Sequence, residues 1–439
     1  MNNEEKVWLV TATMGYGHQR AVYPLREIAE EKIITVGADD VTSKNEELLW
    51  KRVLRAYEYI SRARGLPFIG KSLFNMLDTF LRIPSYYPMR DLSNKTFQVD
   101  LLESSIKKGL CSSMLDKVRS KNLPLVTSFY APAIAADMSG FQNVYCIICD
   151  ADLNRVWVAR EPWESRIYYF APCGKAAQRL KAYGVPDDRI YITGFPLPEE
   201  LTGGEDLAIL RKNLGKRLAA LDPKNKFGIR HGQNVSHFLG LENYPAETNK
   251  KLTITYAVGG AGALSEIGGK IALSLKEKIK NNEVKLILVA GIKESVKKYF
   301  DLIKREYGND DSSKIEIIYA ANIYEYFNLF NKAIAETDIL WTKPSELSFY
   351  CGLGIPIIMT PPIGSQEKFN RKWLIEIGAG RKQEKPEYTD QWLFDWLNKG
   401  ILAETAWFGF LKARKLGTVK IKEILATGKM EQSQNPVLR

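Results

Sequence analysis

The sequence of 439 residues lacks the features that would place it across a membrane or outside the cell. Its apolar runs are all shorter than the roughly 18 residues that cross a bilayer. Its start, MNNEEKVWLV, does not have the basic and then apolar order of a signal peptide. The five cysteines are an odd number scattered along the chain, as is typical of reduced thiols. These absences predict a cytoplasmic protein that reaches a membrane only peripherally, at the inner face of the cell membrane.

Several nucleotide, metal and nucleic-acid signatures are also missing. Neither glycine loop of the chain continues into the Gly-Lys-Ser/Thr of a P-loop, and the third glycine of the dinucleotide fingerprint is absent. Cys146 and Cys149 have C-x-x-C spacing, but they lie in an apolar run without a second Cys/His pair for zinc, so we expect buried thiols. No RNP, KH, zinc-finger or helix-turn-helix pattern is present. We predict no bound metal, no cofactor and no nucleic-acid partner.

The composition supports packed domains and leaves a basic excess to explain. Hydrophobic residues make up 45% of the chain, which excludes a mainly disordered protein, and the length predicts two or three domains. The net charge is +11, and residues 51–121 carry 14 basic against six acidic side chains. Aromatic residues interleave with this charge: Trp50, Tyr57, Tyr59, Phe68, Phe74, Phe80, Tyr86 and Tyr87. This basic–aromatic window could lie on an anionic membrane surface. A helical hairpin with its aromatic residues in the core is the equal alternative.

Short apolar strands alternate with helical patterns in two series, which indicates an α/β protein with parallel sheets and helices on both faces. The predicted strands are 7–11, 125–128, 144–149, 167–170 and 190–192 in the first series, and 252–258, 284–290, 314–319, 338–341 and 356–360 in the second. Two Rossmann-like domains are therefore expected.

The predicted domain boundaries follow from these two series. Residues 1–198 form an N-terminal domain, 199–250 a polar linker with an irregular insertion, and 251–404 a C-terminal domain. Residues 405–439 continue a stripe of aromatic residues at helical spacing. We expect them to form helices that pack back on the N-terminal domain.

The first predicted strand runs into a glycine loop, Gly15-Tyr16-Gly17, which is followed by His18. Glycine lets the backbone turn sharply and approach a ligand closely. A helix predicted over 21–31 would direct its N-terminal N–H groups towards the same spot. A histidine there can act as a base or bind an anion. A structural turn with an exposed histidine is the simpler alternative.

The second series opens in the same way, with a strand that runs into Gly259-Gly260-Ala261-Gly262 and then a helix from Leu264. Three glycines within four positions before a helix suit a diphosphate that lies against backbone amides.

Two later strands of this series end in polar groups. Lys343-Pro344-Ser345-Glu346 follows one strand, and Gly364-Ser365-Gln366-Glu367 with Asn370 follows the next. Open α/β sheets bind ligands at the carboxyl ends of their strands. Amide and carboxylate side chains together can hydrogen-bond several sugar hydroxyls, so we predict a sugar site here.

This third segment resembles the donor-site signature of the MurG-type and monogalactosyldiacylglycerol-synthase-type glycosyltransferases, which include diacylglycerol glucosyltransferases. Their pattern is a strand ending Thr-Lys-Pro-Gly, then Gly-Leu-Pro, Pro-Gly-Gln-Glu, Asn and Gly-Ala-Gly. The chain has Thr342-Lys343-Pro344-Ser345, Gly354-Ile355-Pro356, Gly364-Ser365-Gln366-Glu367, Asn370 and Gly378-Ala379-Gly380. The family's first loop, Gly-Gly-Gly-His-Arg, is similar to Gly15-Tyr16-Gly17-His18-Gln19.

The resemblance implies the GT-B fold, in which two Rossmann-like domains face each other across a cleft. It also implies transfer of a sugar, with inversion and without a metal, from a nucleotide-diphosphate sugar (UDP-sugar above all) to a lipid or lipid-linked acceptor. By the same resemblance, His18 would be the base, with Asp150 as its alternative or helper. The glycine loop and Lys343 would hold the diphosphate, and Gln366 and Glu367 the sugar.

Two departures from the family pattern mark a divergent branch. The ribose-binding glutamate of the family stands seven residues before the strand proline, whereas Glu346 stands ten before Pro356. Glu346 would then substitute for it. Met14 and Tyr16 replace glycines of the first loop, so we expect a different acceptor geometry. A nucleotide-sugar epimerase and a non-catalytic sugar-nucleotide binder are the alternative functions on the same fold.

Overall fold

The structure, a computed structural model, describes residues 6–38, 42–52, 83–243, 250–260, 262, 264–431, 433 and 435–438. Ala261 and residues 53–82 of the basic–aromatic window lie outside this part of the chain. The chain forms two compact units. The first comprises Met1–Pro196, Ile363–Asn370 and Gly417–Gln432, and the second comprises Leu197–Pro362, Arg371–Leu416 and Ser433–Arg439.

A six-stranded parallel sheet forms the core of the first unit. Its strands are β1 Trp8–Ala12, β2 Ile34–Val36, β3 Leu125–Thr127, β4 Val144–Ile147, β5 Ile167–Phe170 and β6 Ile190–Tyr191. They lie in the order β2-β1-β3-β4-β5-β6, so the direction of winding reverses between β1 and β3. Every residue of β1 is buried, as expected for a central strand covered by helices on both faces.

The second unit has its own six-stranded parallel sheet. Its strands are β7 Leu252–Ala257, β8 Val284–Gly291, β9 Ile315–Tyr319, β10 Ile339–Thr342, β11 Ile357–Met359 and β12 Gly380–Lys382. The order β12-β11-β10-β7-β8-β9 is that of the dinucleotide-binding Rossmann fold, and the winding reverses between β7 and β10. The predicted class, an α/β protein with two Rossmann-like parallel sheets, is confirmed.

Helices connect these strands. In the first unit the α-helices are Tyr16–Val22, Phe97–Lys107, Ser112–Val118, Tyr130–Met138, Gly174–Ala182 and Gly417–Thr427, the 3-10 helices are Tyr23–Ile28, Arg155–Trp157 and Asp187–Arg189, and residues 44–52 are helical. In the second unit the α-helices are Glu199–Thr202, Ala208–Ala220, Lys226–Leu239, Ser265–Ser274, Lys276–Lys280, Glu294–Gly308, Ile323–Glu336, Thr389–Asn398 and Ile401–Lys412, and the 3-10 helices are Leu241–Asn243, Glu346–Leu353, Pro386–Tyr388 and Pro436–Leu438. The helix Ser365–Glu376 begins in the first unit and ends in the second.

The helix predicted over 21–31 is placed differently in the structure. It begins at Tyr16, directly after Gly15, and ends at Val22. Gly15 has φ +98°, a conformation that side chains with a Cβ rarely adopt, so the loop ends there. The turns continue as a 3-10 helix with Pro24 near its start, because proline cannot donate the backbone hydrogen bond of an α-helix. His18 therefore lies inside the helix.

The segment predicted as a linker and irregular insertion is mostly helical where the structure describes it. Ala208–Ala220 and Lys226–Leu239 both belong to the second unit. Arg217, which is fully buried, ties the first of these helices to the second sheet: it donates hydrogen bonds to the carbonyl oxygens of Thr337 (2.8 Å) and Leu353 (2.8 Å), just before β10 and β11. Burial lowers its pKa to about 10.

The C-terminal helices divide between the two units. Ile401–Lys412 lies in the second unit, whereas Gly417–Thr427 lies in the first. A Cβ at Gly417 would clash with the carbonyl oxygen of Phe195, which shows how closely this helix packs. Tyr191 in β6 donates a hydrogen bond to the carbonyl oxygen of Gly428 (3.1 Å).

All five cysteines are buried free thiols, as predicted for Cys146 and Cys149.

Two aromatic residues of the basic–aromatic window pack inside the protein, as the alternative of a helical hairpin with aromatic residues in the core expects. Trp50 is buried, and the Tyr86 ring stacks on the Arg179 guanidinium (3.9 Å to the ring centre). Tyr87 is 78% exposed. In the described part of the chain, no helix has the length and apolar character needed to cross a membrane.

Candidate functional site

His18 and Ser128 lie at the point where the winding of the first sheet reverses. His18 is in the helix after β1, and Ser128 directly follows β3. The Nδ1 atom of His18 is 2.7 Å from the carbonyl oxygen of Ser128. The Ser128 hydroxyl is in turn 3.0 Å from the hydroxyl of Thr11 in β1, so side chains as well as backbone join these two strand ends. Crevices at such reversal points are the usual ligand sites of open α/β sheets.

The Ser128 contact decides which nitrogen of His18 carries a proton. A carbonyl oxygen only accepts hydrogen bonds, so Nδ1 must be the donor. In the neutral ring the lone pair then lies on Nε2, the nitrogen that can take up a proton. This is the tautomer that a general base requires, and it is held by the backbone.

Aromatic side chains surround the His18 ring. Phe129 packs edge-on at 4.9 Å between ring centres, and Trp157 lies at 6.0 Å. Tyr130 packs against both Phe129 (4.2 Å) and Trp157 (5.3 Å). These aromatic contacts, together with the hydrogen bond to Ser128, hold the imidazole ring in one orientation.

Asp150, in the loop after β4, is hydrogen-bonded to Asn370. The Asn370 Nδ2 donates to Asp150 Oδ1 (2.7 Å), and the Ala151 N–H donates to Asn370 Oδ1 (2.7 Å). Asn370 is fully buried and belongs to the first unit with the rest of Ile363–Asn370. Its amide, predicted to bind the donor, thus contacts the segment that carries the predicted helper of the base.

Two buried arginines fix the chain that follows Asp150. Arg179 and Asp152 form a two-point ion pair (2.7 and 3.0 Å) in which both side chains are 0% exposed. Arg155 donates hydrogen bonds to the carbonyl oxygens of Ser93, Val158, Ala159 and Arg160. Burial lowers the pKa of Arg155. The loop that holds Asp150 and Trp157 is therefore rigid.

In the second unit the glycine loop follows β7, at the reversal point of that sheet. The Gly262 N–H donates to the carbonyl oxygen of Gly259 (2.8 Å), which closes a tight turn. Gly262 has φ +74°, so a glycine is favoured there. Tyr256 in β7 reaches over the turn and donates to the carbonyl oxygen of Leu264 (2.6 Å). The loop is thus pinned at both ends before the helix Ser265–Ser274 begins.

Two lysines from the neighbouring strands flank this glycine loop. Lys343 follows β10, and its side chain crosses Gly259 so closely that a Cβ there would lie 2.5 Å from Lys343 Cε. Lys293 follows β8, and its Cγ would lie 3.8 Å from a Cβ at Gly262. The Thr342 hydroxyl donates to the carbonyl oxygen of Ala257 (3.1 Å) and holds the ends of β10 and β7 together. The arrangement suits an anion on the loop amides.

The remaining predicted donor residues are placed as follows. Glu346 begins the 3-10 helix after β10 and is 9% exposed, next to the buried Pro344 and the half-buried Ser345. Glu367 Oε2 accepts hydrogen bonds from the N–H groups of Ile363 (2.7 Å) and Gly364 (3.4 Å). This oxygen therefore holds its own loop in place.

The structure brings together some of these residues and separates others by unit. Lys343, Glu346 and the glycine loop are in the second unit, whereas Ser365, Gln366 and Glu367 are in the first.

Ser128 and Lys293 were missed by the sequence analysis. Ser128 acts through its carbonyl oxygen, which any residue would supply, and Lys293 is one of many lysines. Among the described residues, no three His, Cys, Asp or Glu side chains are grouped as a metal site would need.

Comparison with known proteins agrees with the resemblance in the motifs. The chain is similar to the processive diacylglycerol beta-glucosyltransferase of Bacillus subtilis (strain 168), with 20% identity over 387 residues, which cover 86% of this chain and 83% of that enzyme. The enzyme of the same name from Bacillus pumilus is 21% identical over 389 residues, with the same coverage. The predicted resemblance to this group is confirmed. Residues 292–399 match a domain of unknown function, DUF6938.

Two solved structures are also similar. Acinetobacter baumannii MurG has a TM-score of 0.46 and 15% identity, and the alignment covers 96% of this chain and 99% of MurG. The UDP-GlcNAc 2-epimerase of Neisseria meningitidis, bound to UDP-GlcNAc, has a TM-score of 0.47 and 15% identity with the same coverage.

Proposed function

We propose that the protein is a GT-B glycosyltransferase that moves a hexose from a UDP-sugar to a lipid or lipid-linked hydroxyl, with inversion and without a metal. One observation carries the proposal: His18 donates Nδ1–H to Ser128 and so keeps the lone pair of its neutral ring on Nε2, at the reversal point of the first sheet. Sequence similarity to diacylglycerol glucosyltransferases supports the choice of donor and acceptor class.

In the proposed reaction, the acceptor oxygen forms a bond to the anomeric carbon as the bond from that carbon to the phosphate oxygen breaks. The proton of the acceptor hydroxyl passes to His18 Nε2, with Asp150 as helper or alternative base. UDP leaves with the bonding electron pair. Because the acceptor attacks opposite the leaving group, the anomeric configuration inverts.

In this scheme, positively charged and N–H groups of the second unit would balance the negative charge of the leaving diphosphate. Amide groups of the glycine loop and the Lys343 ammonium would bind its oxygens, with Lys293 as a second cation at the other end of the loop. Glu346 would accept hydrogen bonds from the ribose, and Gln366 and Glu367 from the sugar. No step in this scheme requires a metal ion.

The lipid acceptor is proposed from the names of the similar enzymes and from the charge of the chain. The basic–aromatic window would lie against anionic headgroups, which makes the protein peripheral at the membrane. Flotation with anionic vesicles at low and high salt tests this part. Binding at low salt that weakens at high salt is expected, and no binding under either condition would point to a soluble acceptor.

The central experiment compares wild type with His18→Ala in a transfer assay. The assay contains UDP-glucose and diacylglycerol in anionic vesicles, and product is detected by mass spectrometry. Loss of the base should lower kcat by about 10²–10⁴. His237→Ala is the matched control, since His237 is an exposed histidine in the helix Lys226–Leu239 of the second unit. Near-normal transfer by His18→Ala would remove His18 from this role.

The alternatives predict different products. An epimerase would convert a UDP-sugar to its epimer without an acceptor, and a non-catalytic binder would bind UDP without turnover. A transferase with inversion gives a β-glucoside from the α-linked donor, which the anomeric proton coupling in an NMR spectrum distinguishes.

A further inference from the structure

Asn370 has contacts that its predicted donor-binding role does not explain. Both polar atoms of its amide are hydrogen-bonded within the first unit, Nδ2 to Asp150 and Oδ1 to the Ala151 N–H, each at 2.7 Å. The side chain is 0% exposed. An amide that is buried and bound in this way supports its neighbours before any substrate arrives.

The backbone decides which way the Asn370 amide points. The Ala151 N–H can only donate, so the atom that faces it must be the amide oxygen. Nδ2 must then face Asp150, and because Nδ2 only donates, Asp150 Oδ1 must accept. The contact therefore requires Asp150 Oδ1 to accept a hydrogen bond and fixes the direction in which this oxygen points.

We infer that Asn370 is a positioning residue for Asp150: it acts on the acceptor side of the proposed reaction and not on the sugar donor. This inference rests on the proposed function and assigns within it a residue that the motif alone would give to the donor. Asn370 holds Asp150 at its side chain and the following residue at its N–H, so both the position and the rotation of the carboxylate are fixed.

The buried ion pair next to this contact makes the positioning effective. Asp152, two residues beyond Asp150, is held by Arg179. Cys173 Sγ lies 3.7 Å from the carbonyl oxygen of Ala151. The backbone of 151–152 is thus anchored independently of Asn370, and loss of the amide should alter the orientation of the Asp150 carboxylate without unfolding the loop.

Asn370→Asp is the discriminating variant. It has nearly the same shape, keeps an oxygen for the Ala151 N–H, and replaces the donor towards Asp150 with a second carboxylate. We expect kcat to fall about 10- to 100-fold, as part of the contribution of general base catalysis, while KM for the UDP-sugar and the affinity for UDP change less than about twofold. If Asn370 instead binds the donor, KM and the UDP dissociation constant will rise, and the inference is overturned.

A double-variant cycle shows whether the effect passes through Asp150. In an Asp150→Asn background the amide of Asn370 no longer faces a carboxylate, so Asn370→Asp should have little further effect on kcat. An equal loss in both backgrounds would contradict the inference.

Asn331→Asp is the matched control for a general effect of the substitution. Asn331 is also buried, and its Nδ2 donates to a carboxylate oxygen of Glu200 (2.9 Å) in the second unit. It should alter thermal stability but leave kcat unchanged. A wild-type protein that transfers no sugar from any nucleotide donor would overturn the proposed function itself, whereas an active wild type with an unaffected Asn370→Asp variant overturns only the role of Asn370.

Discussion

Removal of the Asp152 carboxylate should destabilise the first unit more than any exposed charge change. Asp152→Ala leaves the Arg179 guanidinium buried, at 0% exposure, without the two hydrogen bonds that now hold it. Arg179 would keep the Tyr86 ring, 3.9 Å from its carbon Cζ, but its Nη1 already has no hydrogen-bond partner in the described part of the chain. Breaking one partner of a buried pair costs about 3–5 kcal/mol.

Amide hydrogen exchange measures this loss where it occurs, since the two units need not unfold together. Peptides that cover β4 and the helix Gly174–Ala182 should exchange about 10²- to 10⁴-fold faster in Asp152→Ala, as about 3–5 kcal/mol of lost protection implies. Peptides from the second unit should be unchanged.

Two further variants test the physical reason for this loss. Asp187→Ala breaks an exposed pair between Asp187 (75% exposed) and Lys181 (50% exposed), a residue of the helix Gly174–Ala182, and should have little effect. The double variant Asp152→Leu/Arg179→Met removes both charges and should recover most of the stability. Two results would refute the account of the buried pair: amide exchange rates in Asp152→Ala that equal those of wild type, or a double variant that is as unstable as Asp152→Ala.

Three other predictions concern the loops and the thiols. Lys343→Met should weaken UDP binding about 10- to 100-fold in calorimetry, because a charged hydrogen bond is lost, while uridine, which lacks phosphate, binds as before; equal loss for both ligands would contradict a diphosphate role. Gly15→Ala forces a Cβ into φ +98° and should cost about 1–3 kcal/mol in unfolding by urea, and an unchanged free energy would mean that the loop tolerates another conformation. Burial raises the pKa of the Cys111 and Cys146 thiols and raises that of Cys173 to about 11, so a thiol reagent at about pH 8 should label none of them before unfolding; rapid labelling of the native protein would show that they are accessible.

The positions of most strands could be predicted from the sequence, because the buried strands of a parallel sheet are short apolar runs between polar segments. β5 coincides with its prediction, and the other predicted strands differ by a few residues at their ends. β2 and β12 were missed. β12 has the sequence Gly-Arg-Lys, which has no apolar run to indicate a strand. The order of strands, which places both glycine loops at reversal points, depends on pairing between distant segments and cannot be obtained from local patterns.

The candidate site was predicted in its residues but only in part in its contacts. Motif spacing brought out His18, Lys343 and the glycine loops. The proton on His18 Nδ1 depends on a backbone carbonyl, and the partner of Asn370 lies 220 residues away in the chain. Neither contact can be inferred from the types of the residues that are nearby in the sequence. Buried supports such as Asp152 were missed for the same reason.

The most direct test of the proposed transfer is the balance between its two products. Wild-type protein is incubated with a UDP-sugar, with and without lipid acceptor, and UDP and glycolipid are quantified in the same reaction. We expect UDP release to require the acceptor and to equal the glycolipid formed. UDP release without a glycosylated lipid, or no turnover of any nucleotide sugar in the presence of acceptor, would contradict the proposal.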